Sequence, residues 1–167
     1  YVSLKGMKYK VGIMDSMKDM MKKWNELWDS KHQMRLMAGY THEWVSQYDS
    51  EKYDFEYEDG TNLRWNIKKA DRAAILDETQ KENVFCIHTI QGLEVEYAGV
   101  IIGKDLTYNK ETGKIEFHKE MNARSDSASG IRTADDALAE KLIRNTYKVL
   151  LTRGVKGTFI YAEDDNL

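Results

Sequence analysis

Val84-Phe85-Cys86-Ile87-His88-Thr89-Ile90-Gln91-Gly92-Leu93-Glu94 runs through Val95 and Glu96 into Tyr97-Ala98-Gly99-Val100-Ile101-Ile102-Gly103. Two apolar, β-branched runs flank a polar turn that contains a glycine. That is the pattern of two buried strands whose connecting loop is held out for use. A loop of His, Thr, Gln, Gly and Glu in that position directs attention to chemistry. The rest of the chain supplies its frame.

Upstream, Lys8 to Ile13 reads as a strand, and Asp15-Ser16 offers capping oxygens to a helix. Its apolar residues Met17, Met20, Met21, Trp24, Leu27 and Trp28 fall on one face at helical spacing, so a helix packed on a sheet is expected. Gln33 to Ala38 is a second strand, ending in Gly39-Tyr40-Thr41-His42. Residues 48–60 form an acidic insertion in which Tyr53, Phe55 and Tyr57 alternate, as in an edge strand or hairpin with one aromatic face. Asn62 to Asn66 pairs back, and Lys68 to Gln80 reads as a short helix or loop.

Downstream, residues 104–132 read as an insertion made of a hairpin around Glu111-Thr112-Gly113-Lys114 and a flexible, Ser-rich loop. Thr133 is the expected cap of a last helix running through Leu138, Leu142, Thr146, Val149 and Leu150 to about Arg153, with Gly154 as its stop. Gly157 to Ala162 is a final strand. The succession of strands and helices predicts a single α/β domain over 1–167 with a mainly parallel sheet.

Composition narrows the function classes. A chain of 167 residues buries a core without disulfides, and its lone Cys86 forms none within the chain. The net charge of −3 excludes a global basic footprint, so nucleic-acid contact has to come from a local patch or from another part of a longer protein. No apolar run approaches the roughly 20 residues that span a bilayer, and the expected setting is cytoplasmic without membrane contact. The start at Tyr1 suits a piece excised from a longer protein.

Several chemistries fail on spacing. Gly99 to Asp105 imitates a phosphate loop, but three residues separate its glycines and Asp105 stands where a Mg²⁺-binding hydroxyl belongs. No Gly-x-Ser-x-Gly turn is present, and Cys86 and His88, two apart in a strand, are neighbours along one ladder. His32, His42, His88 and His118 have no zinc-site spacing, so no metal ligands are assigned.

Two segments remain: Ile87-His88-Thr89-Ile90-Gln91-Gly92-Leu93-Glu94, and Asn145-Thr146-Tyr147-Lys148-Val149-Leu150-Leu151-Thr152-Arg153-Gly154 followed by a strand. The first resembles motif V and the second motif VI of superfamily 1 helicases and translocases. The wording is closest to the C-terminal half of the Schlafen group 3 type DNA/RNA helicase domain of uncharacterised bacterial proteins. Arg35-Leu36-Met37-Ala38-Gly39-Tyr40 and Trp44 extend the likeness back to about Gln33.

The resemblance implies a RecA-like, P-loop NTPase-type three-layer sandwich: the second motor domain, without a Walker A loop. It implies ATP and Mg²⁺ held against an N-terminal RecA-like domain of the same protein, with DNA or RNA as track. Arg153 then matches the arginine finger, Glu94 the carboxylate that meets the ribose, and Gly92 and Gln91 the nucleotide-side turn. His88 and Thr89 match the part that couples nucleotide to nucleic acid. On its own the fragment is expected to be inactive. The family's arginine just after the motif IV strand is replaced here by Gly39-Tyr40-Thr41, with Arg35 at the strand's start in doubt as a phosphate-facing arginine and Tyr40 left to stack on a base. The rival expectation is a degenerate RecA-like binding or scaffold module, in which Arg153 caps a helix, Glu94 is solvated, and the acidic aromatic insertion or the Met/Trp helix meets a protein partner.

Overall fold

The computed structural model describes residues 8–66, 75 and 77–167. Most of the expected segment Lys68 to Gln80 lies outside the described residues, apart from a 3₁₀ turn at Glu78–Gln80. In chain order the elements are β1 (Lys10–Ile13), α1 (Met17–Asp29), β2 (Met34–Ala38), β3 (Phe55–Glu56), β4 (Asn62–Trp65) and β5 (Asn83–Cys86). There follow α2 (Ile87–Ile90), β6 (Val95–Ile102), β7 (Leu106–Asn109), β8 (Lys114–Phe117), α3 (Asp136–Leu151) and β9 (Gly154–Ala162).

Seven strands make one sheet in the order β1-β9-β6-β2-β5-β4-β3, and β7–β8 is a separate hairpin. Every pairing from β1 to β4 is parallel, and only β3 runs antiparallel, against β4. This is an α/β sheet of the RecA-like, three-layer kind.

Alternation along the strands sends side chains to two cores. Met34, Leu36 and Ala38 of β2 join Tyr97 and Ile101 of β6 under Met17, Met20, Trp24 and Leu27 of α1. Met37, Phe85, Ala98 and Val100 point the other way, under Ile90 of α2 and Ala139, Ile143, Tyr147 and Leu150 of α3. Gly99 fixes how close α1 comes: a Cβ there would stand 2.6 Å from Met34 Cε and 3.1 Å from Met20 Sδ. It is a packing position in mid-strand.

The apolar face expected for α1 is the buried one. For α3 the face differs: Ala139, Ile143, Tyr147 and Leu150 are buried, whereas Leu138 is 46% exposed. The α3 cap also differs. Asp135 is the N-cap, accepting from Leu138 N at 2.9 Å, and Thr133 belongs to a preceding 3₁₀ turn. Three residues after Asp135 a helical N–H still lacks a partner and the carboxylate suits the dipole, so the aspartate wins the position. The helix ends at Leu151, and Gly154 opens β9 three residues earlier than expected.

Candidate functional site

The route from β5 to β6 decides where the chemistry lies. Both strands are parallel to β2, with Cys86 and Ile101 level with Ala38, so the connection must descend from the carboxyl edge of the sheet to its amino edge. Residues 87–94 do this along the face shared with α3.

His88 is not in a strand. Ile87–Ile90 is one helical turn, which sets Ile87 and Ile90 over the second core and turns His88 outward. Cys86 is buried at the end of β5, with Asn66 Nδ2 3.6 Å and Thr89 Oγ1 3.4 Å from its sulfur. Gln91 is the exposed C-cap of α2, its N–H on the Ile87 carbonyl at 3.1 Å. Gly92 follows with φ +80°, a backbone conformation that side chains rarely adopt, and it reverses the chain toward Leu93 and the exposed Glu94.

At the amino edge this turn meets the end of α3. Val95 N donates to the Arg153 carbonyl at 3.0 Å, and Arg153 Nη1 lies 3.4 Å from the Leu93 carbonyl. The residues on both sides of Glu94 therefore touch Arg153. Arg153 is half-buried, and its Nε donates to the Val149 carbonyl at 3.1 Å, so here it caps the last turn of α3. Next to it β9 carries an irregularity: Val95 pairs with Gly154 but Tyr97 with Gly157. A Cβ at Gly154 would stand 2.1 Å from the Gly157 carbonyl, so the bulge needs glycine.

The bulge exposes Lys156 beside Glu96, and Glu96 also accepts from Gln33 N at 3.0 Å and His32 Nδ1 at 3.1 Å. Hydrogen bonds from Lys156 first, then Gln33 and His32, pull the Glu96 carboxyl down to about 2. This charged cluster borders the same edge as Glu94 and Arg153.

The carboxyl edge is different. His88 Nε2 lies 2.9 Å from Asp126 of the Ser-rich loop, while Thr89 faces Cys86. A separate cleft of about 610 Å³, lined by neither His88 nor Thr89, opens between the segments following β1, β2, β6 and β9. Asp15, Glu56, Glu58, Asp59, Glu163 and Asp165 line it against Lys104 and His42, an electrostatic setting that repels phosphodiesters. The structure thus brings the residues flanking Glu94 against Arg153 at one edge, leaves His88 and Thr89 toward the other, and puts Gln91 and Gly92 on the crossover between them.

Two other arginine and tyrosine readings change. Tyr40 is 8% exposed and stacked on Trp65 with ring centroids 5.1 Å apart, so it is not free to stack on a base. Arg35 is fully buried, with its guanidinium on the Ile75, Asp77 and Met34 carbonyls and over the Trp28 ring. It is occupied within the fold. Sequence reading missed Asp126 and the Tyr147–Asp105 pair, because each acts across more than 35 residues of chain. The only signal was a lone carboxylate within the Ser-rich run 125–130 for the first, and the sequence carried none for the second.

The sequence matches the Schlafen group 3, DNA/RNA helicase domain family over residues 2–164. It is also 31% identical over 145 residues to the uncharacterized protein YPL245W of Saccharomyces cerevisiae, covering 81% of this chain and 30% of that protein. The chain therefore spans about a third of the length of the curated relative it matches. No solved structure matches it. Among the described residues no helix is long and apolar enough to cross a membrane, and no group of three or more His, Cys, Asp or Glu is arranged to hold a metal ion.

Proposed function

The chain belongs to the Schlafen group 3 DNA/RNA helicase domain family, and from that membership we propose that it is the C-terminal motor domain of an ATP-dependent helicase or translocase. Its substrate is ATP with Mg²⁺, bound against an N-terminal RecA-like domain elsewhere in the protein, and its track is DNA or RNA. The chain's share of the yeast relative leaves ample length for that domain.

One observation supports the reading most: the contacts of Arg153 with Leu93 and Val95, which join the motif V turn to the end of the motif VI helix. In the proposed role Glu94 accepts from ribose hydroxyls, while Gln91 and the backbone at Gly92 border the nucleotide. Arg153 swings from its cap to the γ-phosphate, where a planar guanidinium stabilises the charge of the departing phosphoryl group. The cost of that swing is modest, because a half-buried C-terminal cap contributes at most about 2 kcal/mol. His88 and Thr89 relate this cleft to the nucleic acid through the crossover between the two edges.

The test is nucleic-acid-stimulated ATP hydrolysis by the complete protein. Arg153→Ala should abolish turnover while nucleotide binding persists, and Arg153→Lys should not restore it. Normal turnover in Arg153→Ala would refute the finger. A second reading is favoured by the observed bonds of Arg153 to Val149 and Leu93: a scaffold module in which the arginine is only a cap. It is distinguished by an absent ATPase in the complete wild-type protein.

A further inference from the structure

We propose that Asp126 is the positioning residue for His88, fixing which ring nitrogen the motif V segment offers to a nucleic-acid strand. The inference rests on the reading of His88 as a nucleic-acid-side residue, and it turns the Ser-rich loop into part of that site.

The Asp126 side chain is 1% exposed. Its Oδ1 accepts from Ala128 N at 3.3 Å, Ser129 N at 3.2 Å and His88 Nε2 at 2.9 Å, and its Oδ2 from Asn122 Nδ2 at 3.1 Å. Burial pushes this carboxyl up, but hydrogen bonds from Ser129, Asn122 and His88 outweigh it and hold the group below the usual carboxylate range. The loop carrying it is tied to the domain: Ala123 N donates to the Tyr40 carbonyl at 2.7 Å, and Ser125 N to Glu43 at 3.2 Å. Asp126 is a fixed, ionised acceptor.

An ionised carboxylate has no proton to share, so at 2.9 Å the hydrogen lies on Nε2 of His88. In the neutral ring the lone pair is then on Nδ1. No described residue bonds that nitrogen, and the His88 side chain is 36% exposed. Tyr40 flanks the ring with centroids 6.3 Å apart, beside the Asp126 bond. The result is a preset acceptor on a part-exposed ring. It fits a hydrogen-bond donor on the strand, either a ribose 2′-hydroxyl or a base N–H, rather than a phosphodiester oxygen, which carries only lone pairs.

The ring nitrogens can be read directly by ¹⁵N–¹H correlation spectra of the histidine-labelled chain at pH 8. The expected wild-type result is a protonated Nε2 and an unprotonated Nδ1 at His88, becoming a tautomer mixture in Asp126→Ala. A wild-type ring protonated on Nδ1, or no change in the variant, overturns the proposal. The wild-type spectrum needs no substitution, so a variant that fails to fold does not shield it. Binding of labelled single-stranded oligo-U and oligo-dT to the complete protein supplies the second readout. His88→Ala and Asp126→Ala should each weaken binding about tenfold, as loss of a charge-assisted network does, and the double variant no further. Asp126→Asn, which keeps an acceptor oxygen, should restore much of it. A loss confined to oligo-U assigns the donor to the 2′-hydroxyl, and an equal loss on both assigns it to the base. Additive losses refute action through His88. The expected tautomer with unchanged binding in His88→Ala refutes instead the nucleic-acid reading on which the proposal rests, and the proposal falls with it.

Discussion

Replacing Tyr147 by Phe should cost more as pH rises, and the structure sets both size and sign. The Tyr147 hydroxyl on α3 donates to Asp105 Oδ1 at 2.5 Å and accepts from Gly103 N at 2.9 Å. Both partners sit at the end of β6, and Asp105 is 2% exposed. Burial lifts the Asp105 carboxyl from 3.8 to about 6, although the Tyr147 hydrogen bond pulls it down. Because this pKa is raised on folding, the native state holds a proton that the unfolded chain releases. Asp105's contribution is thus full below about 4 and is lost as pH climbs through about 6, a penalty of about 3 kcal/mol at neutral pH. Removing the hydroxyl orphans the Gly103 N–H at any pH, costing about 1–3 kcal/mol. It also removes a neutral hydrogen bond, about 1 kcal/mol, at pH 5, but a charge-assisted one, about 1.5–3 kcal/mol, at pH 8. The total should rise from about 2–4 kcal/mol at pH 5 to about 2.5–6 kcal/mol at pH 8. Denaturant unfolding of wild type and variant at the two pH values measures it. Equal losses at both would refute the assigned ionisation of Asp105. Since the same contact clamps α3 to the sheet, the variant should also loosen the last turn of that helix, beside Arg153.

Gly92→Ala places a Cβ at φ +80° and should destabilise the chain by about 1 kcal/mol, read by thermal unfolding. In the complete protein it should also raise the KM for ATP through a displaced Glu94. Glu96, pulled down to about 2 chiefly by Lys156, contributes stability that is present above its ordinary value of 4.5 and lost as pH falls toward 2. Lys156→Met should therefore narrow the acid-side stability range, and high salt should reproduce part of that loss in wild type; salt-independent acid unfolding would exclude the pair as its cause.

Much of this fold was legible because apolar periodicity is a local signal. Met17, Met20, Trp24 and Leu27 could face only a sheet, and they do. The α3 face was harder, since Leu138 and Leu142 form a stripe beside that of Ala139, Ile143 and Tyr147. What chose between them was Tyr147's polar tip finding Asp105 and Gly103, a tertiary fact. Ile87-His88-Thr89-Ile90 reads as strand by its β-branched residues, yet the two isoleucines meet one core at a spacing of three, which a helical turn satisfies and a strand does not. The motifs located the candidate residues, whereas the tie between His88 and Asp126 needed the fold to bring residues 38 apart together.

The eight residues from Ile87 to Glu94 leave one edge of the sheet and reach the other with a single helical turn, one reversal at Gly92 and no spare chain. Such a taut span absorbs substitutions but not changes of length. One added residue would carry Glu94 past Arg153 or drag His88 off Asp126, since neither end can yield. A loop such as 110–113, which only returns the chain from β7 to its partner β8, carries no such constraint. Insertion scanning should therefore find this connection the least permissive stretch of backbone outside the cores.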